Sequence, residues 1–160
     1  MTLLTIAEQQ EIKPIAEHNK KEFAQLAQEV EISDLQDLIS REFYQEIIRN
    51  PQKYEELLNG GSYTYCGNTY TFRGLKAVMA YLVYARYIRQ SYIKDTYSGM
   101  VQHTQNDFQR VSAGELQNQE LRYKAVAGGL WDDCLQYIRE KGYPYFNQNN
   151  SGRKFKIGAL

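Results

Sequence analysis

Residues 63–92, YTYCGNTYTFRGLKAVMAYLVYARYIRQSY, hold seven of the chain's 14 tyrosines and change period partway along. Tyr63-Thr64-Tyr65-Cys66 and Thr69-Tyr70-Thr71-Phe72 are rich in β-branched and aromatic residues and alternate in polarity around Gly67-Asn68. They predict a β-hairpin over 63–72 with a two-residue turn. From Leu75 to about Tyr92 the spacing is helical. At about 100° per residue, Leu75, Val78, Met79 and Leu82 share one side, and Ala77, Tyr81, Tyr84 and Ile88 another. A helix apolar on most sides is enclosed by neighbours, so this segment is the expected centre of the fold. An isolated hairpin is marginal in water and must lean on a helix or on another chain.

Working outward, helix signals flank the stretch. Thr5-Ile6-Ala7-Glu8 has the form of a capping box, and the helix it opens is interrupted by Pro14. Phe23, Leu26, Ala27 and Val30 recur at helical spacing. Ser33-Asp34-Leu35-Gln36 reads as a second capping box, restarting a helix with Leu35, Leu38, Ile39, Phe43 and Ile47 on its apolar face. Asn50-Pro51 reads as an N-cap followed by proline at the first helical position, and Asn59-Gly60-Gly61 as the exit of that helix. After the hairpin and the apolar helix, residues 94–110 lose periodicity and read as a long connection with one strand at most. Ser112-Ala113-Gly114-Glu115 is a third capping box, and the following helix carries Leu116, Tyr123, Ala127, Leu130, Cys134 and Ile138 on one face until Lys141-Gly142 closes it. Gly128-Gly129 inside it calls for close packing or a bend as compensation. The expectation is a mainly α protein: a helical bundle around a central apolar helix, with one β-hairpin, in a domain spanning 1–142. Residues 143–160 follow as an extended C-terminal arm anchored by Tyr143, Tyr145, Phe146 and Phe155.

At 160 residues the chain suits one domain. Its formal charge is zero, but residues 1–60 carry 12 of the 19 acids and 6 of the 19 bases, leaving 7 acids and 13 bases for the rest. No acid follows Glu140, whereas Lys141, Arg153, Lys154 and Lys156 do. A neutral total argues against a dedicated nucleic-acid binder, and the polarity lets the acidic part of one copy face the basic part of the next. Cys66 and Cys134 are in no metal-ligand spacing and read as buried free thiols. No secretion signal or membrane-length apolar run is evident, so the expectation is a soluble protein made in a reducing cytoplasm.

Chemistry-bearing residues are sparse. His18 and His103 lack a second ligand at metal spacing and read as exposed and inert. Asp132 and Asp133 point about 100° apart on a helix, and so read as a solvated face rather than a catalytic pair. Arg73-Gly74-Leu75-Lys76 is a basic helix start without the spacing of a phosphate loop. The expectation is no enzyme, no metal and no cofactor. Bases from Arg73 to Arg89 alternate with tyrosines as on some nucleic-acid surfaces, but their helical angles scatter, and salt bridges within an oligomer explain them better. The candidate interface residues are Tyr63, Tyr65 and Tyr70 on the hairpin and Tyr143, Tyr145, Phe146 and Phe155 in the arm. The candidates for a DNA channel or for salt bridges are Arg86, Arg89, Lys94, Arg153, Lys154 and Lys156.

The ordered set LLT, IKPIAEHN, EFYQEII, YTFRGLKAVMAYLVYARYI and DTYSGMV, followed by the late helix, resembles head-to-tail connector proteins of tailed bacteriophages, in particular the ring proteins of crAss-like phages. The similarity covers about residues 3–141 and is most specific over Tyr70 to Ile88 with Thr96-Tyr97-Ser98-Gly99. It implies a mainly helical virion protein, made in the host bacterial cytoplasm, that forms a ring at the head-tail junction, commonly of twelve copies. Its implied partners are further copies of itself, the portal protein, other neck or tail proteins, and packaged double-stranded DNA passing through the lumen without sequence specificity. No membrane is involved. The resemblance carries no catalytic residue and no motif that fixes ring contacts. A small cytoplasmic regulator binding DNA or protein is the alternative.

Overall fold

Alternation in the tyrosine-rich stretch produces two antiparallel strands, β1 (Gly61–Tyr65) and β2 (Asn68–Phe72), with Tyr63 opposite Tyr70 and Gly61 opposite Phe72. The turn is Cys66-Gly67, one residue earlier than the Gly67-Asn68 turn expected, because Asn68 pairs with Tyr65. Both turn residues have positive φ, 49° and 78°, the twist a two-residue hairpin needs. This register sets Gly61 across from Phe72, and a Cβ on Gly61 would come within 2.8 Å of the Glu56 side chain. It also places the Cys66 thiol at the exposed tip, correcting the expectation of a buried one; Cys134 is buried as expected.

The computed structural model describes residues 2–15, 20–91, 93–96, 99–102 and 112–143, with side chains described at all of these except 91, 93–96, 99–102 and 113. Before the hairpin come α1 (Ile6–Ile12), α2 (Lys20–Val30), α3 (Gln36–Ile39), α4 (Arg41–Arg49) and α5 (Glu55–Asn59). After it come α6 (Gly74–Ser91), strands β3 (Ile93–Thr96) and β4 (Gly99–Gln102), and α7 (Ala113–Lys141). The protein is mainly α. The connection expected from 94 holds a second antiparallel hairpin, β3 with β4, in place of one strand at most; residues 103–110 lie outside the described residues.

Helix α6 packs against α7, α2, α5 and α1. Leu75, Ala77, Val78, Met79, Ala80, Leu82, Val83 and Ala85 are all buried along it. Burial of four consecutive residues, Ala77 to Ala80, covers every side of one turn. Each fully buried Leu, Val or Met there contributes roughly 1.5–3 kcal/mol through removal of apolar surface from water. Phe23, Leu26, Ala27 and Val30 from α2, with Ala127, Trp131, Cys134, Leu135 and Ile138 from α7, complete the same core.

Local signals place most boundaries. The Thr5/Glu8 and Ser112/Glu115 capping boxes both form reciprocally. Helix α1 ends at Ile12 because Lys13, ahead of Pro14, is extended. The Ser33–Gln36 box does not form. Ser33 lies inside a π turn, Glu31–Leu35, and its hydroxyl donates to the Glu29 carbonyl at 2.7 Å. The reason is the spacing of core positions. Val30 and Leu35 are both fully buried but five residues apart, and a wider i to i+5 turn returns both to one face. That turn leaves Ile32 66% exposed. The true break comes at Ser40, whose φ is 72° and whose side chain caps α4 by accepting from Phe43 N–H at 3.2 Å. Pro51 opens a 3-10 turn, Pro51–Tyr54, but Asn50 makes no side-chain cap.

Two glycines fix where α5 hands over to the hairpin and the hairpin to α6. Gly60 has φ of 94° and Gly74 of 78°. A Cβ on Gly60 would come within 2.6 Å of the Phe72 carbonyl oxygen, and one on Gly74 would run into Gly60 N and Leu58 O. Helix α7, by contrast, runs unbroken past Gly128-Gly129, and a Cβ on Gly129 would meet nothing within 4 Å. Close packing is therefore not the compensation at that glycine.

Candidate interaction surface

Period-two alternation sends Tyr63, Tyr65, Tyr70 and Phe72 to one face of the hairpin and Ser62, Thr64, Thr69 and Thr71 to the other. The aromatic face is graded from core to solvent. Phe72, buried, stacks on Tyr137 of α7 with ring centroids 4.2 Å apart, and Tyr63 meets the same ring edge-on at 6.2 Å. Tyr63 stacks on its cross-strand partner Tyr70 at 5.6 Å. Tyr70 and Tyr65 are each 43% exposed. Burial raises the Tyr63 phenol pKa, and the nearby carboxylates of Asp133 and Glu140 raise it further. A hydrogen bond with Cys66 raises that of Tyr65, with the Glu140 charge adding to it.

Residues 61–72 contain no charged residue and no proline. β1 pairs only with β2 among the described residues, so each strand has an open outer edge. Natural sheets ordinarily blunt such edges with lysine, proline or inward charges. None of those devices is present in residues 61–72, and among the described residues no further strand pairs with either edge.

The root of the hairpin is held from below. Buried Tyr137 donates to Glu56 Oε2 at 2.5 Å, and Lys141 Nζ lies 3.4 Å from the same oxygen. The Tyr137 bond, with Lys141, holds the Glu56 carboxyl below its usual range. Tyr143, placed by sequence in the arm, has its ring against Tyr54 at 5.1 Å and Phe43 at 5.6 Å, so the first anchor of the arm is part of this aromatic cluster. Tyr145, Phe146, Phe155, Arg153, Lys154 and Lys156 lie outside the described residues, as do His18, His103 and the Lys94 side chain.

The basic candidates on α6 are engaged within the chain. Arg86 donates from Nε and Nη2 to Asp34 Oδ2 at 2.9 and 2.8 Å and from Nη2 to Ser33 Oγ at 2.7 Å; Glu29 is 3.6 Å away. The π turn that displaced the expected capping box thus presents Ser33 and Asp34 to Arg86. Arg89, 74% exposed, is 4.0 Å from Glu120. Lys76 Nζ sits between Glu8 Oε1 at 2.5 Å and Asn59 Oδ1 at 2.7 Å. These line a cleft of about 500 Å³ with Glu11, Phe72 and Arg73. Burial raises the Glu8 carboxyl, but hydrogen bonds from Lys76 and Thr5 outweigh it and leave the group below its usual range. With Lys76 already paired to a carboxylate, the cleft is of mixed charge and poorly suited to an anion.

Sequence reading missed Glu31. It is buried, and accepts from Leu3 N–H at 3.0 Å and Tyr44 O–H at 2.7 Å, tying the N-terminus to α4 across the π turn. Burial and that bond raise the Tyr44 phenol well above its ordinary value. Asp132 and Asp133 are exposed on α7 as expected; partial burial, then the Asp132 charge, lift the Asp133 carboxyl. Among the described residues no group of three or more His, Cys, Asp and Glu side chains is arranged to hold a metal ion. No described helix is long and apolar enough to cross a membrane.

Residues 35–156 match the model of the family described as Family of unknown function (DUF6712), and the chain belongs to that family. No curated protein and no solved structure matches it.

Proposed function

We propose that the chain is a structural subunit of a tailed-bacteriophage particle, a connector that assembles as a ring between the portal and the tail. In this role it extends the DNA channel and offers the tail a docking surface. In this reading the helices form a bundle around α6 whose task is to hold the hairpin rigidly, and the protein needs neither catalytic residues nor a cofactor. The observation that supports it most is the β1–β2 hairpin: free of charge, open at both edges, with Tyr65 and Tyr70 half-exposed, and fixed at its root by Phe72 on Tyr137. Such an edge is chemistry for pairing with another chain. A ring subunit makes contacts between two different surfaces that close by rotation. The likeness of residues 3–141 to connector proteins supplies the portal and tail as neighbours. The alternative of a DNA-binding regulator draws less support, because Lys76 and Arg86, the bases it would use on α6, are spent on Glu8 and on Asp34.

Native mass spectrometry of the purified chain, alone and with its portal, tests the reading. Twelve copies of the 18.7 kDa chain give an assembly of about 224 kDa. That assembly, formed alone or on the portal, is the expected result. A monomer that ignores the portal and binds DNA with a steep salt dependence would replace this reading with the regulator.

A further inference from the structure

Helix α7 packs on α6, α5 and the hairpin with one side and presents another to solvent. Arg122, Val126, Gly129 and Asp133 are all exposed. At about 100° per residue they lie within about 60° of one another and form one line down the helix. Val126 is 39% exposed. Nothing in the chain itself calls for glycine at 129: a Cβ there would meet nothing within 4 Å, and glycine weakens a helix interior. Two nearby bases of the helix are spent, Lys124 on Glu120 and Lys141 on Glu56, whereas Arg122 and Asp133 form no ion pair among the described residues. Partial burial, then the Asp132 charge, raise the Asp133 carboxyl, so a cation brought to that end of the line relieves an existing repulsion.

The spacing from Arg122 through Val126 and Gly129 to Asp133 is 4, 3 and 4 residues, the same in both directions. Laid antiparallel on a second copy, about a midpoint between Ala127 and Gly128, each Val126 meets the other helix's Gly129 and each Arg122 meets the other's Asp133. A parallel pairing would instead set Arg122 on Arg122 and Asp133 on Asp133. We infer that this face of α7 docks on the same face of a second copy, antiparallel about a two-fold axis, with Val126 seated over Gly129 and Arg122–Asp133 ion pairs at both ends. The absent side chain at 129 lets the two helices come to the near end of the usual 8–10 Å separation, and the two-fold repeats each contact. Glu115 and Glu140, further along the line, are held by Ser112 and Gln136; they lie about 19 Å from the midpoint, where crossing helices have diverged. One helix face buries less than a standard interface, so the contact is of the weak, reversible class. It uses neither edge of the hairpin and is separate from the heterologous contact of a ring.

Cys66→Ser removes the exposed thiol and leaves Cys134 buried, giving a full-length background for single reporter cysteines. In the antiparallel pair the two copies of position 126 are offset along the axis by three residue rises, about 4.5 Å, and the two copies of exposed position 118 by nineteen, about 28 Å. A short bismaleimide should therefore join Val126→Cys into a covalent dimer and leave Asn118→Cys monomeric. Added to Val126→Cys, either Arg122→Glu or Asp133→Arg should slow the cross-link about tenfold, the effect of weak surface pairs changed twice over by the symmetry, and the two together should restore it. Gly129→Gln, whose side chain enters space that is open in its own chain, should slow the cross-link without lowering the melting temperature. A cooperative melt confirms that each variant is folded. Position 118 joining as fast as 126, a rate indifferent to either single reversal, or no 126 product at the highest soluble concentration would overturn the inference. Native mass spectrometry of the same proteins keeps it distinct from the ring: a twelve-copy assembly without the 126 cross-link overturns the α7 contact alone, and a 126-linked dimer that never forms the larger assembly supports the contact and counts against the ring.

Discussion

Three glycines with different surroundings separate the two reasons a fold demands glycine. At Gly67 the φ is +78° with nothing within 4 Å of an added Cβ; at Gly74 the φ is also +78°, but the Cβ would run into Gly60 N and Leu58 O and lie 2.7 Å from the Asn59 carbonyl carbon. At Gly129 φ is ordinary and the space is open. Gly67→Ala therefore tests the left-handed backbone alone, for which an L side chain costs roughly 1–2 kcal/mol. Gly74→Ala adds an overpacking term of about 1–3 kcal/mol, because backbone rather than a movable side chain is in the way. Its total is about 2–5 kcal/mol. Gly129→Ala removes only helix-interior flexibility and should stabilise by roughly 0.5–1 kcal/mol. In a chain of this size each kcal/mol moves the melting temperature by about 2–4 °C. Thermal and urea melts followed by circular dichroism should thus rank the four proteins Gly129→Ala, wild type, Gly67→Ala, Gly74→Ala. If Gly74→Ala and Gly67→Ala were equally stable, the backbone contact between α5's exit and α6's entry would not be the constraint that demands glycine at 74.

Two further outcomes are expected. Ellman's reagent should titrate one thiol in the native protein, Cys66, and two after denaturation, because burial pushes the Cys134 thiol up to about 12 and hides it; two equally fast thiols without denaturant would contradict the core position of Cys134. Tyr137→Phe should lower stability at neutral pH by about 0.5–1.5 kcal/mol, at the low end because Glu56 is half exposed. The Glu56 carboxyl is held below its usual range in the folded state. Its stabilisation is thus present above the unfolded value, about 4.3, and is lost as pH falls through the folded one. The gap between wild type and Tyr137→Phe should narrow in urea melts between about pH 6 and pH 3, and a gap independent of pH would remove Glu56 from the explanation.

Legibility in the sequence followed the range of the interaction. The boxes at Thr5 and Ser112 depend on residues within a few positions, and they formed as read. The Ser33 box failed although its letters were right, because Val30 and Leu35 both belong to the core and only an unbroken, widened turn keeps them there. Gly60 against Gly74, Glu31 against Leu3, and Tyr137 against Glu56 join residues 14, 28 and 81 positions apart, and no local pattern announces such pairs. The hairpin shows both limits at once. Its alternation placed Tyr63, Tyr65 and Tyr70 on one face, but the side chain that organises them, Tyr137, comes from the last described helix. The same helix carries Asp133 and Glu140, whose charges add to burial in raising the Tyr63 phenol, an influence that no pattern within residues 61–72 announces.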